Sequence, residues 1–281
     1  MKLYAISDLH LANRAAREAL LEMPPFPDDW LILAGDIAEK LSYLEMALRQ
    51  LSARFARLIW VPGNHDLWTV PGAAGEGGLR GEHKYRAMVE ICRQHGVITP
   101  EDPYPVWEGE GPRAVLVPLF LLYDYSYRPD DVPFDRVVEW AMEQESVCSD
   151  EYVLHPDPFP SRQAWCAARC AQTEQRLASL PADLPTVLIN HFAMRQDTLR
   201  LYRVPRFSPW CGTRRTEDWH RRYRALAVVF GHQHVPGTLW RDGVRFEEVS
   251  LGYPRQWSRE RGIASYLRQI LPVPSGTVPP G

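Results

Sequence analysis

The fold of this chain is constrained most by five apolar runs that each end on a polar cluster. Leu3–Ile6, Leu31–Ala34, Leu58–Val61, Val187–Ile189 and Leu226–Phe230 lead, in turn, into Asp8-Leu9-His10, Gly35-Asp36, Gly63-Asn64-His65-Asp66, Asn190-His191 and Gly231-His232-Gln233-His234. Short continuous apolar runs are the mark of strands buried on both faces. In α/β sheets, ligands collect just past the carboxyl ends of such strands. One polar strand end carries little meaning. Five of them, with three Asp, two Asn and five His, exceed what packing requires.

The intervening segments supply helices. Ala12–Leu21 and Leu41–Ala56 have helical apolar spacing, Tyr85–His95 is a helix with Gly96 as its stop, and Ser161–Leu180 is a helix with Ser161 as N-cap. A further helix is expected around Phe134–Glu145, a strand over Ala114–Leu121, and a hairpin over Thr238–Ser250 turning at Asp242-Gly243. The chain therefore reads as an α/β protein. At 281 residues, with 45% hydrophobic and 24% charged residues, it is expected to form one globular domain over 1–270. Cap insertions are expected at about 67–90, 122–161 and 192–224, and a flexible Pro- and Gly-rich tail over 271–281. No apolar run approaches the ~20 residues of a membrane span. Met1-Lys2 leads straight into a strand without a signal pattern, so a cytoplasmic location and no membrane partner are expected.

The five cysteines, Cys92, Cys148, Cys166, Cys170 and Cys211, read as free thiols in a chain too large to need staples. Cys166 and Cys170 sit four apart on a helix, either as a metal or redox pair or, more simply, as two half-buried thiols on one face. The net charge of −3 hides an uneven distribution: nine arginines fall between Arg195 and Arg224, and acids dominate from Asp130 to Asp157. The basic stretch is either a surface for an anionic partner or a solvated face paired with the acidic stretch.

Side chains two apart on a strand share a face, so Asp8 and His10 can grip one metal together. His232 and His234 have the same spacing just past a strand. Carboxylate, imidazole and amide donors without thiolate suit Mn, Fe or Zn, and they are too many for one ion. Asp36 is the natural bridge, because a carboxylate has two oxygens. Two ions ~3.5–4 Å apart can activate a water and clamp a phosphoryl group for in-line attack. His65, between Asn64 and Asp66, is free to protonate a leaving oxygen.

The order Asp-x-His, Gly-Asp, Gly-Asn-His-Asp, His, Gly-His-x-His resembles the calcineurin-like metallophosphoesterases. That resemblance implies a four-layer α-β-β-α sandwich, with two packed sheets flanked by helices and metals at the strand ends. It implies Asp8, His10, Asp36 and His234 around one metal and Asp36, Asn64, His191 and His232 around a second. It also implies His65 as the acid or transition-state stabiliser, with Asp66 orienting it. The family often has Asp three residues after the bridging Asp; here Glu39 stands there. The stretches Trp60-Val61-Pro62-Gly63-Asn64-His65, Phe120-Leu121-Leu122-Tyr123-Asp124-Tyr125-Ser126, Trp210-Cys211-Gly212-Thr213 and Gly243–Pro254 are similar to the mycobacterial and other actinobacterial phosphopantetheinyl hydrolases, which cut the phosphodiester joining phosphopantetheine to a carrier-protein serine.

The resemblance implies two di- or trivalent ions, Mn and/or Fe with Zn as an option, and an acyl or peptidyl carrier protein as substrate. On that reading the Arg195–Arg224 stretch meets the acidic carrier, and Tyr123, Tyr125 and Trp210 are candidates for a pantetheine groove, against the simpler role of core packing. The competing readings are a nucleotide phosphodiesterase, phosphomonoesterase or nuclease with the same metal core, and a metal-free scaffold of the same fold. A nuclease calls for a longer basic track with stacking aromatics, so no nucleic-acid partner is expected. A scaffold is expected to have lost ligands, whereas all seven and His65 are present.

Overall fold

The computed structural model describes residues 1–70 and 78–277. Residues 71–77 of the first expected insertion and 278–281 of the expected tail lie outside the described residues. From the N-terminus, β1 (Leu3–Ile6), α1 (Arg14–Leu21), β2 (Phe26–Leu33), α2 (Leu41–Ser52) and β3 (Phe55–Trp60) alternate. The one-turn helix α3 (Asn64–Leu67) and the longer α4 (Gly81–Gln94) follow, then β4 (Val106–Trp107) and β5 (Ala114–Pro118). Helices α5 (Val137–Met142), α6 (Asp150–Val153) and α7 (Arg162–Leu177) precede β6 (Thr186–Ile189), and α8 (Trp219–Arg222) precedes β7 (Ala225–Phe230). The hairpin β8 (Gly237–Arg241) and β9 (Val244–Glu248) and the last strand β10 (Arg268–Leu271) complete the chain.

The strands form two mixed sheets, ordered β10-β1-β2-β3 and β4-β5-β6-β7-β9-β8. Alternation along each strand decides the layers. Ile32 and Ala34 of the first sheet meet Leu116, Val187, Ile189 and Val229 of the second in a core between the sheets. Their neighbours Leu31, Leu33, Leu188 and Val228 turn outward into a second apolar cluster that takes in Leu44 and Leu48 of α2, Met88 of α4 and Trp165 of α7. The result is the expected four-layer α-β-β-α sandwich.

Local sequence explains most of the elements. Ser161 Oγ accepts the Ala164 amide at 3.1 Å and caps α7. The hairpin turns at Asp242 and Gly243, whose φ values of +52° and +74° are those a two-residue hairpin loop demands. The helix expected over Leu41–Ala56 ends at Ser52, because Phe55 pairs with Phe26 in the sheet. The expected helix around Phe134–Glu145 is a short 3-10 turn followed by α5. Leu271, assigned to the tail from sequence, is buried and paired with Leu3. α4, assigned mostly to the first insertion, buries Tyr85, Met88, Val89 and Cys92 against the sandwich and belongs to its outer layer. All five cysteine sulfurs are free and buried, and neither Cys166 nor Cys170 belongs to a potential metal cluster among the described residues. No helix among the described residues is long and apolar enough to cross a membrane.

Candidate metal centre and active site

The strand ends turn sharply. Nine non-glycine residues among those described have positive φ, and five of them are Asp8, His10, Asp36, His232 and His234. Left-handed backbone costs such residues about 1–3 kcal/mol each and persists only where the surroundings over-determine it. Two glycines make room for the convergence. A Cβ on Gly63 would stand 2.1 Å from Asp36 Oδ1, and one on Gly231 would stand 2.5 Å from Asp8 Oδ2.

The turns bring all seven sequence-expected ligands together. Asp8 Oδ1 and His10 Nε2 each lie 3.0 Å from His234 Nε2. Beside them, His191 Nε2 is 3.5 Å from Asp36 Oδ2 and 3.3 Å from Asn64 Oδ1, and His232 Nδ1 is 3.1 Å from the same Asn64 oxygen. Asp36 groups with His10 and His65 on one side and with His191 and His232 on the other, each group within 4.8 Å. An ion with ~2.1 Å bonds at right angles separates neighbouring donors by ~3.0 Å, so this donor set fits a pair of metal ions sharing Asp36.

The outward ring atoms fix the inward ones. His234 Nδ1 is 3.0 Å from Gln256 Oε1, and His191 Nδ1 is 2.9 Å from the Ala34 carbonyl. Donating to those oxygens leaves each Nε2 lone pair aimed at the cluster. Asp8 Oδ2 accepts from the hydroxyls of Ser7 at 2.5 Å and Ser250 at 2.7 Å, leaving Oδ1 for the site. Burial pulls His191 down, but the Asp36 and Asp8 carboxylates outweigh it and lift the imidazole to about 10. His234 is likewise raised, burial being outweighed by Asp8. Burial dominates at His10 and His232, which fall to about 4 and about 3.

His65 is placed differently. Its Nε2 is 4.0 Å from Asp36 Oδ2, its Nδ1 is 2.9 Å from Glu39 Oε1, and its ring stacks on Trp68 at 3.6 Å between centroids. Burial lowers its pKa, while Asp36 and Glu39 raise it more, so the net shift is upward. The expectation that Asp66 orients this ring needs correction. Both Asp66 oxygens are occupied by backbone amides, those of Gly63 and Asp36 on one and Ile37 and Ala38 on the other, all at 2.9 Å. Asp66 braces the two loops against each other, and Glu39, with one more methylene than Asp, reaches the His65 ring.

The cluster forms the floor of a cleft of about 690 Å³. One wall carries Arg200, Tyr202, Arg203 and Phe207, and another Tyr253 and Arg255. Tyr253 stacks on His10 at 4.4 Å, a contact that no motif spacing announces. Tyr123, Tyr125 and Trp210 do not line the cleft. They are buried in the main core, with Tyr123 hydrogen-bonded to Asp150 and Trp210 to Glu151, because aromatic side chains with a polar tip satisfy it internally. The basic stretch divides as well. Arg214 pairs with Asp130 and Arg206 with Glu143, so part of it neutralises the acidic stretch. Arg203 is exposed at the cleft.

The chain belongs to the calcineurin-like phosphoesterases, whose family model matches residues 1–236. Family membership and the Asp/His clusters make metal ions its cofactors. It is 48% identical over 276 residues, 97% of this chain and 84% of the relative, to the acyl-carrier-protein phosphodiesterase PptH of Mycobacterium tuberculosis. The crystal structure of the phosphopantetheinyl hydrolase PptH from the same organism matches it with a TM-score of 0.91 at 47% identity, covering 100% of this chain and 98% of that one.

Proposed function

We propose that this chain is a dinuclear metal-dependent phosphodiesterase that releases 4'-phosphopantetheine from a holo acyl or peptidyl carrier protein. The observation that carries the reading is its 48% identity over 97% of its length to an acyl-carrier-protein phosphodiesterase. The site is consistent with it. Asp8, His10, Asp36 and His234 would hold one ion, and Asp36, Asn64, His191 and His232 the other; Mn and Fe suit these donors, with Zn as an option. When bound, such ions supply Lewis acidity toward a phosphoryl group and an attacking water.

The remaining work falls to the chain. His65 Nε2 faces the cleft while Nδ1–H donates to Glu39, so the ring can pass a proton to the departing serine oxygen. A phosphodiester seated on the floor leaves two groups to accommodate. The pantetheine arm fits the cleft, between Phe207 and Tyr253. The carrier meets the rim, where Arg203, Tyr202 and Val147 are exposed. A carrier-protein substrate agrees with the cytoplasmic location expected from the sequence.

A substrate panel tests the reading: holo carrier protein, a cyclic nucleotide, an aryl phosphomonoester and an aryl phosphodiester, each with Mn²⁺. A kcat/KM for holo carrier above that for the other three is the expected result. A nucleotide preferred over the carrier would move the assignment to a nucleotide phosphodiesterase.

A further inference from the structure

The insertion after β5 reaches back into the metal centre through one carboxylate. Asp150, the first residue of α6, is completely buried. Its Oδ1 accepts from Asn64 Nδ2 at 2.9 Å and from Trp68 Nε1 at 2.6 Å, and its Oδ2 accepts the Tyr123 hydroxyl at 2.9 Å. The backbone carbonyl of Asp150 is held in turn by Arg162 at 2.9 Å.

Asn64 is the one amide among the seven clustered side chains, and an amide has two faces. Its oxygen can ligate a cation; its NH₂ group has no lone pair to offer. Orientation is set by whichever group takes the NH₂. Here that group is Asp150. A flip would set the Asn64 oxygen against a buried carboxylate and turn NH₂ toward His191 Nε2 and His232 Nδ1. Asp150 thereby keeps Asn64 Oδ1 at 3.3 and 3.1 Å from those two ring nitrogens. The same oxygen of Asp150 fixes the indole of Trp68, on which His65 stacks.

We propose that Asp150 is a positioning residue for the second metal position, acting through the Asn64 amide. The inference rests on the two-metal reading above. It predicts a metal-binding defect confined to one position, which a merely structural role in the insertion does not.

Mn²⁺ binding to the purified full chain, followed by calorimetry and by the magnetic coupling of paired ions in electron paramagnetic resonance, provides the test. Wild type takes up two coupled ions. Asp150→Ala binds one ion normally and the second about 10–100-fold more weakly, the usual cost of removing a group that orients a ligand. Asp150→Asn keeps both, since its oxygen still accepts from Asn64 and Trp68 while its NH₂ donates to Tyr123. A reciprocal pair makes the test independent of whether Asp150→Ala folds. Asn64→Asp sets two carboxylates against each other and weakens the second ion. Asn64→Asp combined with Asp150→Asn and Trp68→Phe, the last removing the indole N–H that would oppose the turned amide, restores a donor between them and recovers it. If Asp150→Ala holds both ions like wild type, or the combined variant binds no better than Asn64→Asp alone, Asp150 does not position Asn64. A wild-type protein that takes up fewer than two ions overturns the two-metal reading itself, and this proposal with it.

Discussion

His65 and Glu39 form a pair in which the Glu39 carboxylate lies 2.9 Å from Nδ1 of the imidazole, so Nε2 is the nitrogen turned to the cleft. The pair fixes both the tautomer and the direction of the ring, with Trp68 stacked beneath it. This geometry suits His65 to the proposed role of proton donor, and its loss should leave the metal ligands in place. His65→Ala is expected to retain both ions and lose about 10²–10⁴-fold in rate on a substrate with an alkoxide leaving group. The loss should shrink for a nitrophenyl ester, whose leaving group needs little protonation. Equal losses on both substrates would assign His65 to charge stabilisation instead.

Metal binding should be coupled to protons. His191 is lifted to about 10, so in the metal-free chain its imidazole holds a proton at neutral pH, and His234 is shifted in the same direction, burial being outweighed by Asp8. A ligand nitrogen must give that proton up. Affinity is therefore expected to fall as pH drops, and calorimetry in buffers of different ionisation enthalpy should reveal net proton release at pH 7. Binding heats independent of the buffer would contradict this.

Gly63 tests how tightly the Asp36 carboxylate is held. The nearest atom to an added Cβ is Asp36 Oδ1, at 2.1 Å, well inside any real contact. Gly63→Ala should displace Asp36 and lower the affinity for both ions, as Asp36→Asn should by removing the bridging charge. Asp8→Asn should affect mainly one. Elemental analysis after dialysis distinguishes these patterns; full metal content in Gly63→Ala would show that the loop yields without moving Asp36, and loss of only one ion in Asp36→Asn would show that Asp36 is not a shared ligand.

Much of the centre was legible in the sequence because strand-end motifs are local. Asp8, His10, Asp36, Asn64, His65, His191, His232 and His234 all sit within a few residues of an apolar run, and the sandwich brings those runs' ends together. The supporting groups were not legible. Asp150 lies 86 residues from Asn64, in a stretch whose many acids gave no reason to single one out. Tyr253 and Gln256 approach His10 and His234 only because β9 pairs parallel to β7 and returns the chain to the site. Asp66 misled for the opposite reason. Its place beside His65 in sequence suggested contact, but α3 turns its carboxylate back onto the loop amides.

The rim separates two sets of arginines. Arg214 and Arg215 lie near Asp130 and Asp124, at 2.6 and 3.4 Å, and do not line the cleft. Arg203 does. Rim charges act mainly on association and are screened by salt. Arg203→Glu is expected to raise KM for an acidic carrier, with little change on a small aryl phosphodiester, and added salt should narrow the difference. Arg214→Glu with Arg215→Glu should leave that KM nearly unchanged. A larger effect from the second pair would move the docking surface away from the cleft.

The most direct measurement is the intact mass of a holo carrier protein incubated with this chain and Mn²⁺. Conversion to the apo form with release of 4'-phosphopantetheine, abolished in Asp36→Asn, is the predicted result. A carrier that stays holo while an aryl phosphodiester is hydrolysed under the same conditions would contradict the proposed substrate.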